Sequence, residues 1–232
     1  MSPALARRLI GEFIGTFFLL VAVVGSGIMA ENLSTDVGLQ LLQNAIATAA
    51  ALIALILAFF YVSGAHFNPA VTLTDLALGG IERGAAIAYV GVQTIGGILG
   101  VMAANIMFDL PAVDWSTTDR SELRLAFAEV IATLGLLLVI FIVVRAGDAR
   151  TVAFAVGSYI AGAYYFTSST SFANPAVTVS RMFSDTFAGI EPASAPAFII
   201  AQLIAVGIAV PLVRFLTPMV PSPTPIAASD DD

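Results

Sequence analysis

The chain has 232 residues, of which 59% are hydrophobic and only 11% charged. An ordinary soluble domain is about half apolar and a quarter charged, so the composition excludes that class and indicates a membrane protein. There is no cysteine and His66 is the single histidine, which excludes disulfides, thiolate metal sites and multi-histidine metal sites. The net charge of −7 argues against a nucleic-acid partner. We expect no metal and no cofactor.

Six apolar segments are long enough, at about 20 residues each, to cross a bilayer as helices. They cover residues 9–30, 39–63, 84–108, 123–144, 151–167 and 195–216. Two further segments, 67–78 and 172–187, are half apolar and too short to span, and each has Asn-Pro near its start. The sequence therefore predicts an all-α membrane protein with six transmembrane helices and two re-entrant half-helices. It forms a single domain over residues 1–232, in which 220–232 is a disordered acidic tail.

The arginines predict the orientation of these spans, because short cytoplasmic loops are enriched in basic residues. With the N-terminus inside, six arginines fall on the cytoplasmic side: Arg7, Arg8, Arg83, Arg145, Arg150 and Arg214. The other three, Arg120, Arg124 and Arg181, fall outside. Residues 1–8 lead into the first apolar segment without a small-residue cleavage site, which indicates an uncleaved first span. We expect a multi-pass protein of a prokaryotic inner membrane with both termini cytoplasmic.

An internal repeat relates residues 1–118 to residues 119–219. The motif Gly-Glu-Phe-Ile-Gly-Thr at 11–16 is echoed by Ala-Glu-Val-Ile-Ala-Thr at 128–133. Likewise, Asn-Pro-Ala-Val-Thr-Leu-Thr-Asp at 68–75 is echoed by Asn-Pro-Ala-Val-Thr-Val-Ser-Arg at 174–181. Each half holds three spans, and an odd number inverts the second half in the membrane. Such an inverted repeat places its functional site near the midplane.

The two Asn-Pro-Ala motifs are the candidate pore residues. They comprise Asn68, Pro69 and Ala70 in the first half and Asn174, Pro175 and Ala176 in the second. Asparagine caps free N–H groups and proline is tolerated in a first turn, so each motif fits the start of a half-helix. Inversion brings both helix N-termini to one place, where their dipoles repel cations while the asparagine amides can bind a neutral hydroxyl. A single Asn-Pro is more simply a turn initiator, but two matched copies favour a function.

These motifs resemble those of a known family. The stretch Ser-Gly-Ala-His-Phe-Asn-Pro-Ala-Val-Thr at 63–72 resembles the first signature loop of the aquaporin, or major intrinsic protein, superfamily. Phe-Ala-Asn-Pro-Ala at 172–176 resembles the second. Glu12 and Glu129, each with a threonine four residues on, are similar to the family's first and fourth helices. The resemblance implies six tilted helices, two half-helices, one pore per subunit and a homotetramer in the bilayer.

The chain departs from the family at the selectivity filter. Family members usually have arginine directly after the second Asn-Pro-Ala, where this chain has Val177. Counting back from the two asparagines, the resemblance assigns the other three positions to Thr48, Gly162 and Ser171. This filter has no aromatic or charged member, so we expect a wide opening. Arg181 lies one turn beyond Val177 and is expected at the outer mouth, either replacing the lost charge or paired with Asp185.

Three further polar residues are candidates for supporting the pore loops. Glu12 and Glu129 are expected to accept hydrogen bonds from the half-helix loops, and a proton relay is the alternative. His66 is either a pore-lining hydrogen-bonding group or pH sensor, or a satisfied structural side chain. Aromatic residues near the predicted interfaces are interpreted as membrane belts: Trp115, Tyr164, Tyr165 and Phe166.

The sequence thus predicts a passive, aquaglyceroporin-like channel and no enzyme. Its expected solutes are small and neutral: glycerol-like polyols, metalloid hydroxides such as arsenous acid, and water. A water-selective channel is the alternative within the family. A proton-coupled secondary transporter using Glu12 and Glu129 is the alternative from another class, and a non-conducting structural protein is a third.

Overall fold

A computed structural model describes residues 2–146 and 149–217, and the predicted tail at 220–232 lies outside them. Within these residues the chain is helical and has no strand. The long helices are α1 (Pro3–Leu33), α2 (Val37–Ser63), α4 (Arg83–Met107), α5 (Leu123–Ala146), α6 (Ala149–Phe166) and α8 (Ala195–Leu216). The short ones are α3 (Pro69–Leu78) and α7 (Pro175–Ser180), and α7 continues as a 3₁₀ turn, Arg181–Phe183.

Five of the six long helices are long and apolar enough to cross a membrane: α1, α2, α4, α5 and α8. The sixth, α6, has 18 residues. Its composition is more polar, with Arg150, Thr151 and Ser158 among its residues. The predicted all-α architecture is confirmed, and the clearest shift in bounds is α7, which ends at Ser180 although a half-helix was predicted over 172–187.

The packing of the helices repeats between the two halves. In the first half α1 packs against α2 and α4, and in the second α5 packs in the same way against α6 and α8. The half-helix α3 contacts α4, as α7 contacts α8, and α2 packs against α6 to join the halves. The first and last described residues lie at the same end of the bundle. Near the N-terminus Arg8 donates to the Tyr89 hydroxyl of α4, and near the C-terminus Arg214 donates to the Ala77 carbonyl of α3.

Glycines allow α1 and α4 to approach closely. A Cβ built at Gly96 or Gly100 would collide with the backbone carbonyl of Phe13 or Phe17 on α1. Neither carbonyl can move aside without breaking its own helix, so only glycine fits at these positions. Small residues at such spacing are typical of tightly packed membrane helices, since they allow close backbone contact in lipid.

Candidate functional site

Each half-helix begins at the asparagine that the sequence indicated. The side-chain oxygen of Asn68 accepts a hydrogen bond from the Ala70 N–H at 2.8 Å, and that of Asn174 accepts one from the Ala176 N–H at 2.9 Å. Pro69 and Pro175 follow as the first helical residues, where no N–H donor is required. The helix N-termini of α3 and α7 are therefore both capped by asparagine.

The two asparagines also tie the half-helix loops to each other. The Asn68 amide donates to the Ala173 carbonyl, and the Asn174 amide donates to the Phe67 carbonyl, both at 2.8 Å. Each pore loop is thus closed by a residue of the opposite repeat. A side-chain amide has two N–H donors, and this bond uses one of them. Since both side chains line the central cavity, we expect the second N–H of each to be available to a passing solute.

Two buried carboxylates hold these loops in an unusual conformation. Glu12 accepts hydrogen bonds from the N–H groups of His66 and Phe67, and Glu129 accepts them from Phe172 and Ala173, over 2.7–3.0 Å. The loops contain non-glycine residues at positive φ, which is costly for an L residue: Ala65, Phe67, Thr170, Ser171 and Ala173. The carboxylates offset that strain by pairing the loop amides.

The same contacts argue against a proton relay. Glu12 also accepts from Ser63 and Gln93, and Glu129 accepts from Gln202. Both glutamates are fully buried, and neither lines the central cavity of the described chain. Their burial away from the solute path favours the interpretation that both glutamates support the loops.

One elongated cavity of about 320 Å³ passes through the bundle beside the two asparagines. Arg8, Asp75 and Gly80 line one end, called here the Asp75 end; Tyr164, Ser171 and Arg181 line the other, called the Arg181 vestibule. Much of the wall between them is apolar: Leu19, Val23, Leu52, Ile56, Val71, Leu136, Ile140, Val152, Val156 and Ile160. Polar groups interrupt that wall at the asparagines and around Thr48. A solute therefore meets hydrocarbon along most of its path and hydrogen-bonding groups at a few places.

Three of the four predicted filter residues line this cavity: Thr48, Ser171 and Val177. Gly162 does not; its place is taken by Tyr164, whose hydroxyl lies 3.2 Å from the Thr48 hydroxyl. Gly162 thus lies away from the cavity in this structure, and an aromatic side chain, Tyr164, lines it beside the other three predicted filter residues. Interpreting Tyr164 as a membrane belt residue is therefore wrong.

Gly162 and Tyr164 differ in helix phase. Gly162 lies on the exposed face of α6, whereas Tyr164 is 4% exposed. Two residues along an α-helix turn the side chain by about 200°, so positions 162 and 164 face opposite sides. Tyr165 and Phe166 do lie on the outside, with 52% and 58% of their surface exposed.

Arg181 lies inside the vestibule and is only 4% exposed. It follows α7, and its guanidinium carbon sits 3.5 Å from the centre of the Phe172 ring while its Nε donates to the Ala188 carbonyl. It does not pair with Asp185, because that carboxylate accepts from the N–H and hydroxyl of Thr117. The Arg181–Asp185 alternative is therefore wrong.

A second arginine at the vestibule was missed by sequence reasoning. Arg120, in the connector before α5, lies with its guanidinium carbon 5.1 Å from the centre of the same Phe172 ring and donates to the Gly189 carbonyl at 2.8 Å. Burial lowers the pKa of Arg120, against the opposing attraction of Glu129. Its sequence signal was weak, because a lone arginine in a polar connector is ordinarily solvated.

His66 belongs to a polar cluster at the Asp75 end. Its Nδ1 lies 3.1 Å from the Thr72 hydroxyl and its Nε2 lies 3.7 Å from the Asp75 carboxylate. Its ring packs edge-on against Tyr89, whose hydroxyl accepts from Arg8 at 2.7 Å. The histidine therefore both lines the cavity and has a partner at each ring nitrogen.

An inverted pair of three-helix repeats, with two capped half-helices meeting beside a continuous cavity, defines a membrane channel of the aquaporin fold. The family model of the major intrinsic proteins matches residues 1–148. The chain belongs to the major intrinsic protein family. It is accordingly a channel for small neutral solutes and not an enzyme, as the sequence predicted.

Individual relatives agree with this assignment. The aquaglyceroporin AqpS of Rhizobium meliloti (strain 1021) is 45% identical over 91% of each chain. The aquaporin NIP1-2 of Arabidopsis thaliana is 33% identical over 47% of this chain and 37% of its own length. The X-ray structure of the aquaglyceroporin from Plasmodium falciparum superposes with a TM-score of 0.69 at 22% identity, covering 93% of this chain and 98% of that one, which supports the fold.

Proposed function

We propose that the protein is a passive channel for glycerol-sized polyols and neutral metalloid hydroxides such as arsenous acid, and that it also conducts water. The observation that carries the proposal is the composition of the cavity wall. A polyol has hydroxyls and a hydrocarbon backbone, and it loses little on leaving water if the wall offers both kinds of contact. Apolar side chains lie along the cavity, while Asn68, Asn174 and Thr48 supply hydrogen-bonding groups.

Val177 supports passage of solutes larger than water. It lines the cavity directly after the second Asn-Pro-Ala, so an aliphatic side chain stands where the family usually has arginine. A valine removes the guanidinium's bulk and its five N–H donors. The proposed filter comprises Thr48, Tyr164, Ser171 and Val177. The similarity to a protein named an aquaglyceroporin points in the same direction.

A water-selective channel is the second candidate, and one contact favours it. The 3.2 Å approach of the Thr48 and Tyr164 hydroxyls places a phenol in a ring that was expected to be lined by small side chains. Both hydroxyls are buried, so the pair can narrow the opening.

Stopped-flow light scattering on proteoliposomes separates the two candidates. After a shock with external glycerol, the shrinking phase reports water flux and the re-swelling phase reports glycerol flux. Re-swelling well above that of empty liposomes supports the proposed polyol channel, and arsenous acid is then tested in the same assay. Fast shrinking without re-swelling would establish the water-selective alternative.

We further propose an inner-membrane homotetramer with both termini cytoplasmic, so that the Asp75 end faces the cytoplasm. The six-to-three distribution of arginines supports this orientation. The chain has no cysteine, so single cysteines report sidedness without background. In intact cells a membrane-impermeant maleimide should label Asn32→Cys, at the exposed C-terminal end of α1, and not Glu82→Cys, just before α4. The reverse pattern would invert the topology. Native mass spectrometry tests the tetramer.

A further inference from the structure

Two arginines flank one aromatic ring at the Arg181 vestibule. The guanidinium carbons of Arg181 and Arg120 lie 3.5 and 5.1 Å from the centre of the Phe172 ring. Arg181 is 4% exposed and Arg120 is partly buried. The ring attracts both cations, but two like charges beside it also repel each other. Such a pair is stabilised by a negative charge nearby.

No carboxylate of the described chain supplies that charge at ion-pair distance. Among the described residues Arg124 pairs with Glu122 and His66 contacts Asp75 at the opposite end of the cavity, so neither contact includes Arg120 or Arg181. The acids around the vestibule are bound to other donors: Asp185 to Thr117, Glu31 to the Phe187 N–H, Glu129 to the Phe172 and Ala173 N–H groups, and Glu191 and Asp119 to Ser194. Glu129 attracts both arginines only from beyond ion-pair distance, and one carboxylate does not balance two cations. Buried positive charge in excess is costly, so the vestibule favours an anion from solution.

The hydrogen-bonding capacity of the vestibule is also unfilled. The Nε of Arg181 is bound to the Ala188 carbonyl, and its two terminal nitrogens make no hydrogen bond within the described residues. Ser171 lines the same cavity, is 4% exposed, and its hydroxyl has no partner in the described chain. Ser171 directly precedes Phe172, the residue on which Arg181 rests. Buried polar groups are nearly always hydrogen-bonded, so these donors indicate a bound acceptor.

We propose that the Arg181 vestibule binds a small monovalent oxyanion of the carboxylate or bicarbonate class through the Arg181 guanidinium and the Ser171 hydroxyl. Guanidinium matches the planar, two-oxygen edge of such an ion and forms charge-assisted hydrogen bonds with it. Arg120 acts as a positioning residue from the Phe172 ring, adding positive potential without touching the ion. Because Arg181 lines the solute path, the bound ion regulates access to the filter. The anion reaches this site from solution through the cavity, so the proposal rests on the proposed channel. It does not depend on which neutral solute the channel conducts.

Formate binding to the detergent-purified full chain tests the site by isothermal titration calorimetry, at constant ionic strength held with sodium chloride. Wild type is expected to bind saturably. Arg181→Gln, whose amide can still donate to the Ala188 carbonyl, is expected to weaken binding by about ten-fold or more, as for loss of a charged hydrogen-bond partner. Ser171→Ala is expected to weaken it several-fold. Arg124→Gln is the matched control, because that exposed arginine pairs with Glu122 and should leave formate affinity unchanged.

Absence of saturable formate binding to wild type, or an affinity in Ser171→Ala equal to that of wild type, overturns the proposal. If Arg181→Gln fails to fold, the formate affinities of Ser171→Ala and Arg120→Gln test the proposal instead. Arg120→Gln is expected to lose less affinity than Arg181→Gln would. Calorimetry measures anion binding and not solute flux. Its result can therefore be interpreted even if the glycerol experiment shows no glycerol flux. In proteoliposomes, formate should then slow the permeant solute in wild type and less so in Ser171→Ala.

Discussion

At the scale of single residues, Val177 stands where the family usually has arginine. Val177→Arg would place a guanidinium in the cavity beside Thr48 and Ser171. We expect glycerol flux to fall about ten-fold, equivalent to a barrier about 1.4 kcal/mol higher. Val177→Thr, which nearly preserves the volume, should conduct like wild type. Unchanged glycerol re-swelling in Val177→Arg would show that position 177 does not limit solute passage.

Tyr164 and Gly162 make a second residue-scale test, because they lie on opposite faces of α6. Tyr164→Ala removes a phenol from the ring and should raise the flux of a five-carbon polyol relative to glycerol. Gly162→Ala, on the exposed face, should leave that ratio unchanged. Truncating a buried aromatic residue costs about 3–5 kcal/mol of stability, so thermal unfolding of Tyr164→Ala is measured in parallel. An altered ratio in Gly162→Ala alone would restore the original filter assignment.

The residues that sequence reasoning located correctly are those fixed by local motifs. Asn68 and Asn174 cap the next helix, and their role follows from the adjacent proline and alanine. Tyr164 could not be located this way, because its orientation depends on the helix phase beyond an irregular loop. The arrangement of Arg120, Phe172 and Arg181 joins three separate segments, and no periodicity in the sequence predicts such a contact.

At the scale of secondary-structure elements, the contact between α1 and α4 depends on glycine. Gly100→Val would push a side chain into the Phe17 carbonyl, and we expect loss of folded protein. Gly91→Ala is the matched control on the same helix, since a Cβ there meets no atom within 4 Å. Size-exclusion profiles and thermal unfolding of the two variants in detergent measure the difference. Equal stability of both would contradict the close approach described here.

The half-helix loops provide a second test at this scale. Glu12→Gln replaces one acceptor oxygen by a donor that faces the Phe67 N–H or Gln93, so one buried donor loses its partner. We expect a loss of about 1–3 kcal/mol in stability, with disordered pore loops and reduced flux. Glu82→Gln serves as the control, because this exposed carboxylate before α4 makes no capping hydrogen bond. A stable Glu12→Gln channel with wild-type flux would show that the carboxylate is not needed for loop geometry.

At the scale of the whole molecule, the structure supports passive conduction. The two carboxylates that could have carried protons are sequestered behind the loops, away from the cavity. We therefore expect glycerol to equilibrate across proteoliposomes without accumulating, whether or not a pH gradient is imposed. Accumulation that an uncoupler abolishes would require a proton-coupled mechanism. Liposomes containing Glu129→Gln protein, if folded, should show the same independence of pH gradient.

The sequence predicted the global arrangement better than the details of the pore. The length of the apolar segments predicted the long helices, and the repeated motifs predicted the inverted repeat. Both features can be recognised from local patterns in the sequence. The α7 end was misjudged because Arg181–Phe183 continues as a 3₁₀ turn, held by contacts of Asp114 and Ser116 with the carbonyls of Phe183 and Met182. Those partners come from the connector before α5, far away in the sequence.

The reciprocal asparagine contacts also constrain how the protein is made. The amide of Asn68 is satisfied by the Ala173 carbonyl, which lies 105 residues further along the chain. While a ribosome is still translating the second repeat, the first pore loop lacks its partner. We therefore expect its re-entrant segment to reach its final form only after α5 and α6 have been synthesised. Pore closure is therefore a late event in biogenesis, and a nascent chain stalled before Ala173 should expose the first loop to water-soluble probes.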